Sequence, residues 1–522
     1  MLFGHHLSKS VCADHCSVGM RYLTMATYTT AKETREMRSM EQVTQEDKGA
    51  AMNTSSKLQY EASPRGKPSV TIGSRVEMFI DDWLIESMNG AQLKLNQPER
   101  KEIVLVLDQP WEGPLGTYFT VLQDGAKIRL YYRGYIPPGA ADVTDDQRVC
   151  YAESEDGIHF VRPELGLCEF EGSSRNNILF AGALAHNFTP FLDRSPHAKG
   201  GEIYKGVGGT GTADPSRNDG TLYGLTSPDG IHWQQMKAPL NMPSGGFDSQ
   251  NVVFWDAAAG VYRCYNRYFD SGKYRAVQSC SSDNFTDWSD QQPNRYAEGV
   301  PMEQFYTNAT IPCPGAEHLY LAFPKRFVPE RKKIAEHPFG GVSDTCFMTS
   351  RDGVHWNRTF MEAWLRPGRD DRNWTERSNM VAYGCIETTP EEFSFYVSEH
   401  YRWDDNRLRR LAVRKHGFAS VSAGYESGEM TTRPIVLEGD RLLLNYSTSA
   451  AGSIRVEVQD EFGQPIEGLA LSDMEALYGD NLAEVVQWRT TADLSAWRGQ
   501  TVRFRFVLQD ADLFAIRIAS VS

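Results

Sequence analysis

The sequence predicts an all-β chain, a five-bladed β-propeller followed by a C-terminal β-sandwich. Three observations predict it. From Val76 onward, short runs rich in Val, Ile, Tyr, Phe and Trp alternate with clusters of Gly, Asn, Asp and Pro, and helical periodicity is nearly absent. One corner phrase recurs four times along the middle of the chain. An Asn recurs where successive inner strands are expected to begin. Many short strands with regular turns allow a sandwich, a barrel or a propeller, and internal repetition selects the propeller.

Residues 1–72 are polar, rich in Thr, Glu, Lys and Ser, and read as a disordered leader, with a weak helix over Ala31–Glu46. The propeller is expected over 73–427. Its corner phrase reads Ser154-Glu-Asp156-Gly157-Ile-His-Phe160, then Ser227-Pro-Asp229-Gly230-Ile-His-Trp233, a looser Ser281-Ser-Asp283-Asn-Phe-Thr-Asp-Trp288, and Ser350-Arg-Asp352-Gly353-Val-His-Trp356. Asp and Ser can bond the turn's backbone amides, Gly takes a positive φ, and the aromatic residue plugs the core's edge. These Asp residues are therefore expected to be structural.

The copies lie roughly 55 to 75 residues apart, longer than the usual short propeller repeats. The Asn marks fall at Asn187, Asn251, Asn308 and Asn379, and Trp111-Glu112 opens the first unit. Blades are expected over 103–170, 176–243, 244–298, 299–368 and 369–425, with Val76–Glu86 as an added strand closing the ring. The stretch Gly206–Ala213 lacks a phosphate-binding Lys and a following helix, and reads as a flexible loop. Residues 428–522 form the sandwich, on the alternation over Ile454–Val458 and Val502–Leu508.

Composition narrows the partners. Of 522 residues, 68 are acidic and 54 basic, giving a formal net charge of −14, which disfavours nucleic acid and anionic membranes. No run long and apolar enough for a transmembrane helix is present. The nine cysteines are scattered without a CxxC pair, and suit a reducing compartment better than a disulfide framework. The first residues lack an apolar signal region, so a cytoplasmic setting is expected. Cys12, His15 and Cys16 resemble half a metal site without a second half, so no metal and no cofactor are expected.

Inner strands of a propeller converge on one funnel, so carboxylates beside blade starts are the candidates for chemistry. Glu303 lies in Pro301-Met-Glu303-Gln-Phe-Tyr306, where aromatic neighbours are expected to desolvate it and raise its pKa. Asp248 precedes a strong strand, Glu112 opens the first blade, and Asp82 belongs to an acidic pair within an apolar run. Expected binders are His186, Asn187, Asn251, Tyr306, Arg372, Trp374, Glu376 and Arg377. Trp374 is suited to stacking on a sugar face, and the arginines to forked contacts with hydroxyls or a carboxylate.

The corner phrase resembles the Asp-box of sialidases. Residues 75–520 resemble the five-bladed glycosidase superfamily of glycoside hydrolase families 32, 43, 62, 68 and 130, with a C-terminal sandwich similar to that of family 32. The resemblance implies a glycoside hydrolase, probing a chain end, that cleaves a terminal bond of an oligo- or polysaccharide with carboxylate chemistry. It implies a base or nucleophile at Glu112 or Asp82, a transition-state stabiliser at Asp248 and a general acid at Glu303. It is compatible with a structural Ca²⁺ in the channel, for which no ligand cluster is legible. The sequence departs from family 32 in lacking its opening motif and in carrying Phe247-Asp248-Ser249 and Glu303-Gln304 at two later signatures. Two alternatives stay open: a phosphorylase of the family 130 type, and a carbohydrate-binding propeller without activity.

Overall fold

The computed structural model describes residues 67–134, 147–210, 220–243 and 245–520. Of the expected leader over 1–72, residues 1–66, including the weak helix over Ala31–Glu46, lie outside the described residues; its end is ordered instead, Val70–Thr71 pairing with Ile435–Val436 and Ile72 buried in the core.

Five antiparallel sheets follow one another along the chain. The first contains Thr117–Asp124, Lys127–Arg133, Arg148–Ser154 and Ile178–Ala181. The second runs from Thr189–Leu192 to Gln234–Gln235, and the third from Val252–Asp256 to Gln292–Pro293. The fourth is split. Ile311–Cys313, Ala316–Ala322, Met348–Ser350 and Trp356–Asn357 form its lower part, while Gln304–Phe305, Lys325–Val328 and Val342–Thr345 form a separate upper sheet. The break falls at Pro324, which lacks an N–H for the ladder and whose carbonyl accepts from Cys346 N at 3.0 Å. The fifth contains Met380–Val381, Glu392–Glu399 and Arg407–Arg414.

Contacts between neighbouring sheets close a ring. Tyr131 Oη donates to the Gly230 carbonyl at 3.0 Å, joining the first blade to the second. Tyr262 Oη donates to Asp193 at 2.8 Å, joining second to third. Tyr265 Oη donates to the Gly353 carbonyl at 2.9 Å, joining third to fourth. Ser343 Oγ donates to the Glu376 carbonyl at 2.6 Å, joining fourth to fifth. Tyr396 Oη donates to the Gly157 carbonyl at 2.7 Å, returning from fifth to first. The corner glycines thus serve twice, in the turn and as acceptors for the blade alongside.

Three blade junctions share an ion pair that the sequence reading missed. An Asp near the end of an inner strand meets a cation on the next strand and a Tyr hydroxyl from the following blade. The sets are Asp124, Arg129 and Tyr204; Asp193, Lys205 and Tyr262; and Asp256, Arg263 and Tyr320.

The corners behave as expected locally. Asp156, Asp229 and Asp352 each accept two backbone N–H bonds within the turn and pair with a His three residues on. The third copy is shifted by one residue from the expectation. Ser282 and Asn284, not Ser281 and Asp283, make the turn, with Asn284 Oδ1 accepting from Thr286 and Asp287 amides.

Two further expectations are corrected. The strand that closes the ring is Glu99–Val106, paired with Arg407–Arg414, rather than Val76–Glu86. Val76–Met78 pairs instead with the chain's last strand, and Ile85–Asn89 with Gly428–Thr432, so these N-terminal strands join the C-terminal sheet system. The glycine-rich stretch is a strand, Tyr204–Thr210, up to residue 210, and 211–213 lie outside the described residues. Its glycines are needed for close packing: a Cβ on Gly209 would run into the Phe247 carbonyl.

In the C-terminal sandwich, two long strands, Arg441–Asp460 and Thr501–Ala519, pair along most of their length. Their pairing breaks between Thr448 and Ser453, beside Asp510 with φ of 42°. The register of the pair shifts there, and both strands belong to one ten-stranded sheet. Leu442, Leu444, Ile454, Val456, Phe504, Phe506, Leu513 and Ile516 pack between the layers in one core.

Candidate functional site

The upper ends of the blades bring together Tyr118, Arg133, His186, Asp248, Arg267, Arg275, Tyr306, Lys325 and Arg377. Tyr118 opens the first blade's inner strand with φ of 54°, where the pairing skips between Thr117 and Thr120. A positive φ in an aromatic residue is costly and gathers at functional sites. Asn379, at the fifth blade's start, has φ of 62°.

Asp248 sits on the loop entering the third blade, its side chain 23% exposed. Its carboxylate pairs with Arg267, which is itself buried. The loop is held from below. Asn187 and Asn251 both donate to the Phe247 carbonyl, and Asn187 also accepts from Gly209 N at 2.8 Å. His186 Nε2 lies 2.9 Å from the Asp248 carbonyl oxygen, and Nδ1 lies 2.6 Å from Gln147 Oε1. Burial, then the charges of Arg133, Arg377 and Arg267, push the His186 pKa far down, so its ring is neutral near pH 7. His186, Asn187 and Asn251 therefore position Asp248.

Tyr306 comes from the loop after the fourth blade's upper strand. Lys325 Nζ lies 4.0 Å from its ring centroid, and the guanidinium carbons of Arg267, Arg275 and Arg377 lie 5.2, 5.3 and 5.7 Å away. Burial raises the Tyr306 pKa, but Arg377, Arg267, Arg275 and a hydrogen bond with Tyr118 outweigh it and bring the phenol down to about 7. Tyr118 moves the opposite way, up, through burial and the charge of Tyr306. Burial and the neighbouring Arg377 depress Lys325, whose amine donates to the Glu376 carbonyl at 2.9 Å. Tyr401 is lowered because Arg377, Arg402 and Arg133 outweigh its burial, and it accepts from Arg377 at 3.1 Å.

Glu303 lies on the other face of this strand. Successive residues of a strand point opposite ways. Gln304 and Tyr306 face Arg275, with Gln304 Oε1 accepting at 3.1 Å. Glu303 and Phe305 face Arg358, and Glu303 also accepts from Arg326 at 2.6 Å. The desolvated carboxyl expected from aromatic neighbours is instead an ion-paired carboxylate between two guanidinium groups, away from Tyr306.

Glu112 is fully buried. It accepts from Arg162 at 2.7 Å, from the Tyr132 hydroxyl, and from Gln109 N at 3.2 Å, with no open side toward a substrate. Asp82 lies at the N-terminal turn, 3.5 Å from Lys67. Its neighbour Asp81 pairs with Arg351 of the fourth blade at 3.0 Å, and both line a groove of about 550 Å³ with Trp83, Arg295 and Arg433. Asp81 thus ties this turn to the propeller's fourth blade.

The fifth-blade candidates divide. Arg372 is engaged with Asp370 and Asp405, which also hold the two ring nitrogens of buried His400 at 2.8 and 2.9 Å. Glu376 pairs with Arg402 at 2.8 Å; despite burial, Arg402, His337 and Arg377 hold its pKa below the usual value. Trp374 is partly exposed, its indole N–H donating to the Gly368 carbonyl at 2.9 Å, so the ring is oriented by its own loop. Of the expected residues, Asp248, His186, Asn187, Asn251, Tyr306 and Arg377 gather at the funnel. Arg133, Arg267, Arg275, Lys325 and Tyr118 were missed, since each reads in sequence as an ordinary strand residue.

No family model matches the chain, and no curated protein matches it. Among solved structures it is similar to one described as a glycoside hydrolase, at 13% identity and TM-score 0.40, covering 61% of this chain and 92% of that one. It is similar to the α-L-arabinanase of Penicillium chrysogenum complexed with arabinobiose, at 8% identity and TM-score 0.37, covering 61% and 99%. It is also similar to the β-1,2-mannobiose phosphorylase of Listeria innocua, at 11% identity and TM-score 0.40, covering 62% and 97%.

Proposed function

We propose that this protein cleaves glycosidic bonds of a saccharide at the funnel opening around Asp248 and Tyr306. The observation that supports it is the convergence of an ion-paired but partly open carboxylate, Asp248, with a titrating phenol, Tyr306, from two different blades. Cleavage of a glycosidic bond needs an anion facing the positive charge that develops on the sugar, and a group that delivers a proton to the departing oxygen. Asp248 supplies the anion, oriented by Arg267 and by His186. Tyr306 supplies the proton, because a phenol brought to about 7 is protonated in part of the molecules at neutral pH and can return its proton. A funnel of this kind admits a chain end, which favours exo cleavage.

The arginines favour one second reading, phosphorolysis, in which inorganic phosphate takes the place of water. A panel of oligosaccharides incubated with the full chain, with and without phosphate, separates the two. Release of reducing sugar without phosphate is the expected result. Release that requires phosphate makes the protein a phosphorylase, and saccharide binding with no release from any member of the panel contradicts both.

A further inference from the structure

The funnel concentrates positive charge within a protein whose formal net charge is −14. Arg267, Arg275 and Arg377 stand around one phenol ring, from 5.2 to 5.7 Å from its centroid, and Arg133 lies 4.9 Å from the ring of Tyr118. Two of these guanidinium groups carry a further sign. Arg133 and Arg267 are each 3% exposed, and the Nε of each has no hydrogen-bond partner among the described residues. A buried N–H left without an acceptor costs on the order of 1–3 kcal/mol, so such groups ordinarily belong to a site that a ligand or water completes.

We propose that the funnel floor receives a carboxylate carried by the saccharide itself, so that the substrate is an acidic glycan of the uronate class, gripped by Arg267, Arg275 and Arg377. Planar guanidinium groups match a carboxylate through paired hydrogen bonds, which is why arginine serves this recognition better than lysine. A neutral sugar would leave the crowded cations facing hydroxyls. Asp248 shares the opening, and its negative charge favours a singly charged carboxylate over the more highly charged free phosphate. The same arginines lower the Tyr306 phenol and, after burial, depress the Lys325 amine. The inference deepens the reading of the preceding subsection by naming the substrate class at the same site, and it rests on that site being where saccharide binds.

Calorimetric titration of the full chain with glucuronate, galacturonate and mannuronate tests it, against glucose, galactose and mannose and against inorganic phosphate. At least one uronate is expected to bind about tenfold or more tightly than its neutral counterpart, with phosphate weaker than that uronate. Arg377→Met is expected to abolish the preference, and Arg377→Lys to restore only part of it, with unfolding curves showing that both variants are folded. Should neither variant fold, loss of the preference with rising salt in the wild type is the expected substitute reading. Asp248→Asn is expected to keep the preference while losing turnover; uronate binding by a wild type that releases no sugar leaves this inference standing and overturns the catalytic one. Equal affinity for acidic and neutral sugars overturns the inference. So does binding of phosphate without binding of any uronate, which would mark the cluster as a site for a free oxyanion.

Discussion

Lys325 Nζ lies 4.0 Å from the centroid of the Tyr306 ring, and the guanidinium carbons of Arg267, Arg275 and Arg377 lie 5.2 to 5.7 Å from the same point. The phenol that results titrates near 7, where an unperturbed tyrosine titrates at 10.0. Ultraviolet difference absorbance should show one tyrosinate forming with a midpoint near 7, absent in Tyr306→Phe. The linkage has a definite sign. The folded pKa is depressed, so between about 7 and 10 the unfolded chain binds more protons than the folded one. Wild type should therefore gain stability relative to Tyr306→Phe as pH rises through that window, and lose the advantage as pH falls through 7.

The same titration shapes the rate. If Tyr306 delivers the proton, kcat/KM should decline above about 7 as the phenol ionises. Tyr306→Phe should lower the rate and remove that limb of the profile. A profile of unchanged shape in the variant assigns the limb to another group.

Lys205 and Asp193 of the second blade form a buried ion pair of 2.5 Å that also holds Tyr262 of the third. Removing one partner strands the other charge. Lys205→Met should destabilise the protein by about 3–5 kcal/mol, and Lys205→Met with Asp193→Leu by less than the single change. Denaturant unfolding of the two variants checks the order.

The corner carboxylates are structural in this account. Asp352 is held down to about 2 chiefly because the His355 and Val354 amides and the His355 ring outweigh its burial. Asp352→Ala should cost about 1–2 kcal/mol in stability, the loss of two turn hydrogen bonds, and leave kcat unchanged. Glu112 makes a similar contrast with Asp248: Glu112→Gln should lower the melting temperature, through its lost pairing with Arg162, without a fall in activity per folded molecule.

What the sequence revealed follows from range. The corner phrase is a local device, seven residues long in three of its copies, and the Asn marks announce the entries to the blades. Both were legible, and Asn187, Asn251 and Asn379 each donate to a neighbouring carbonyl. The closing strand Glu99–Val106 was not legible, because its exposed half, Glu99 to Glu102, carries edge-strand charges in place of an apolar alternation. The ion pairs of Glu303 were not legible because Arg326 and Arg358, which hold it, arrive from later strands. The cationic cluster was invisible for the same reason. Arg133, Arg267, Arg275 and Arg377 come from three blades and meet only when the ring closes.

The central claim, that Asp248 and not Glu303 or Glu112 is the reacting carboxylate, is tested most directly by one comparison. Initial rates of reducing-sugar release are measured on a cleaved oligosaccharide for wild type, Asp248→Asn, Glu303→Gln and Glu112→Gln, each normalised to folded protein. The account predicts a loss of about a hundredfold or more for Asp248→Asn alone. Full activity in Asp248→Asn, with the loss falling on Glu303→Gln or Glu112→Gln, would contradict it.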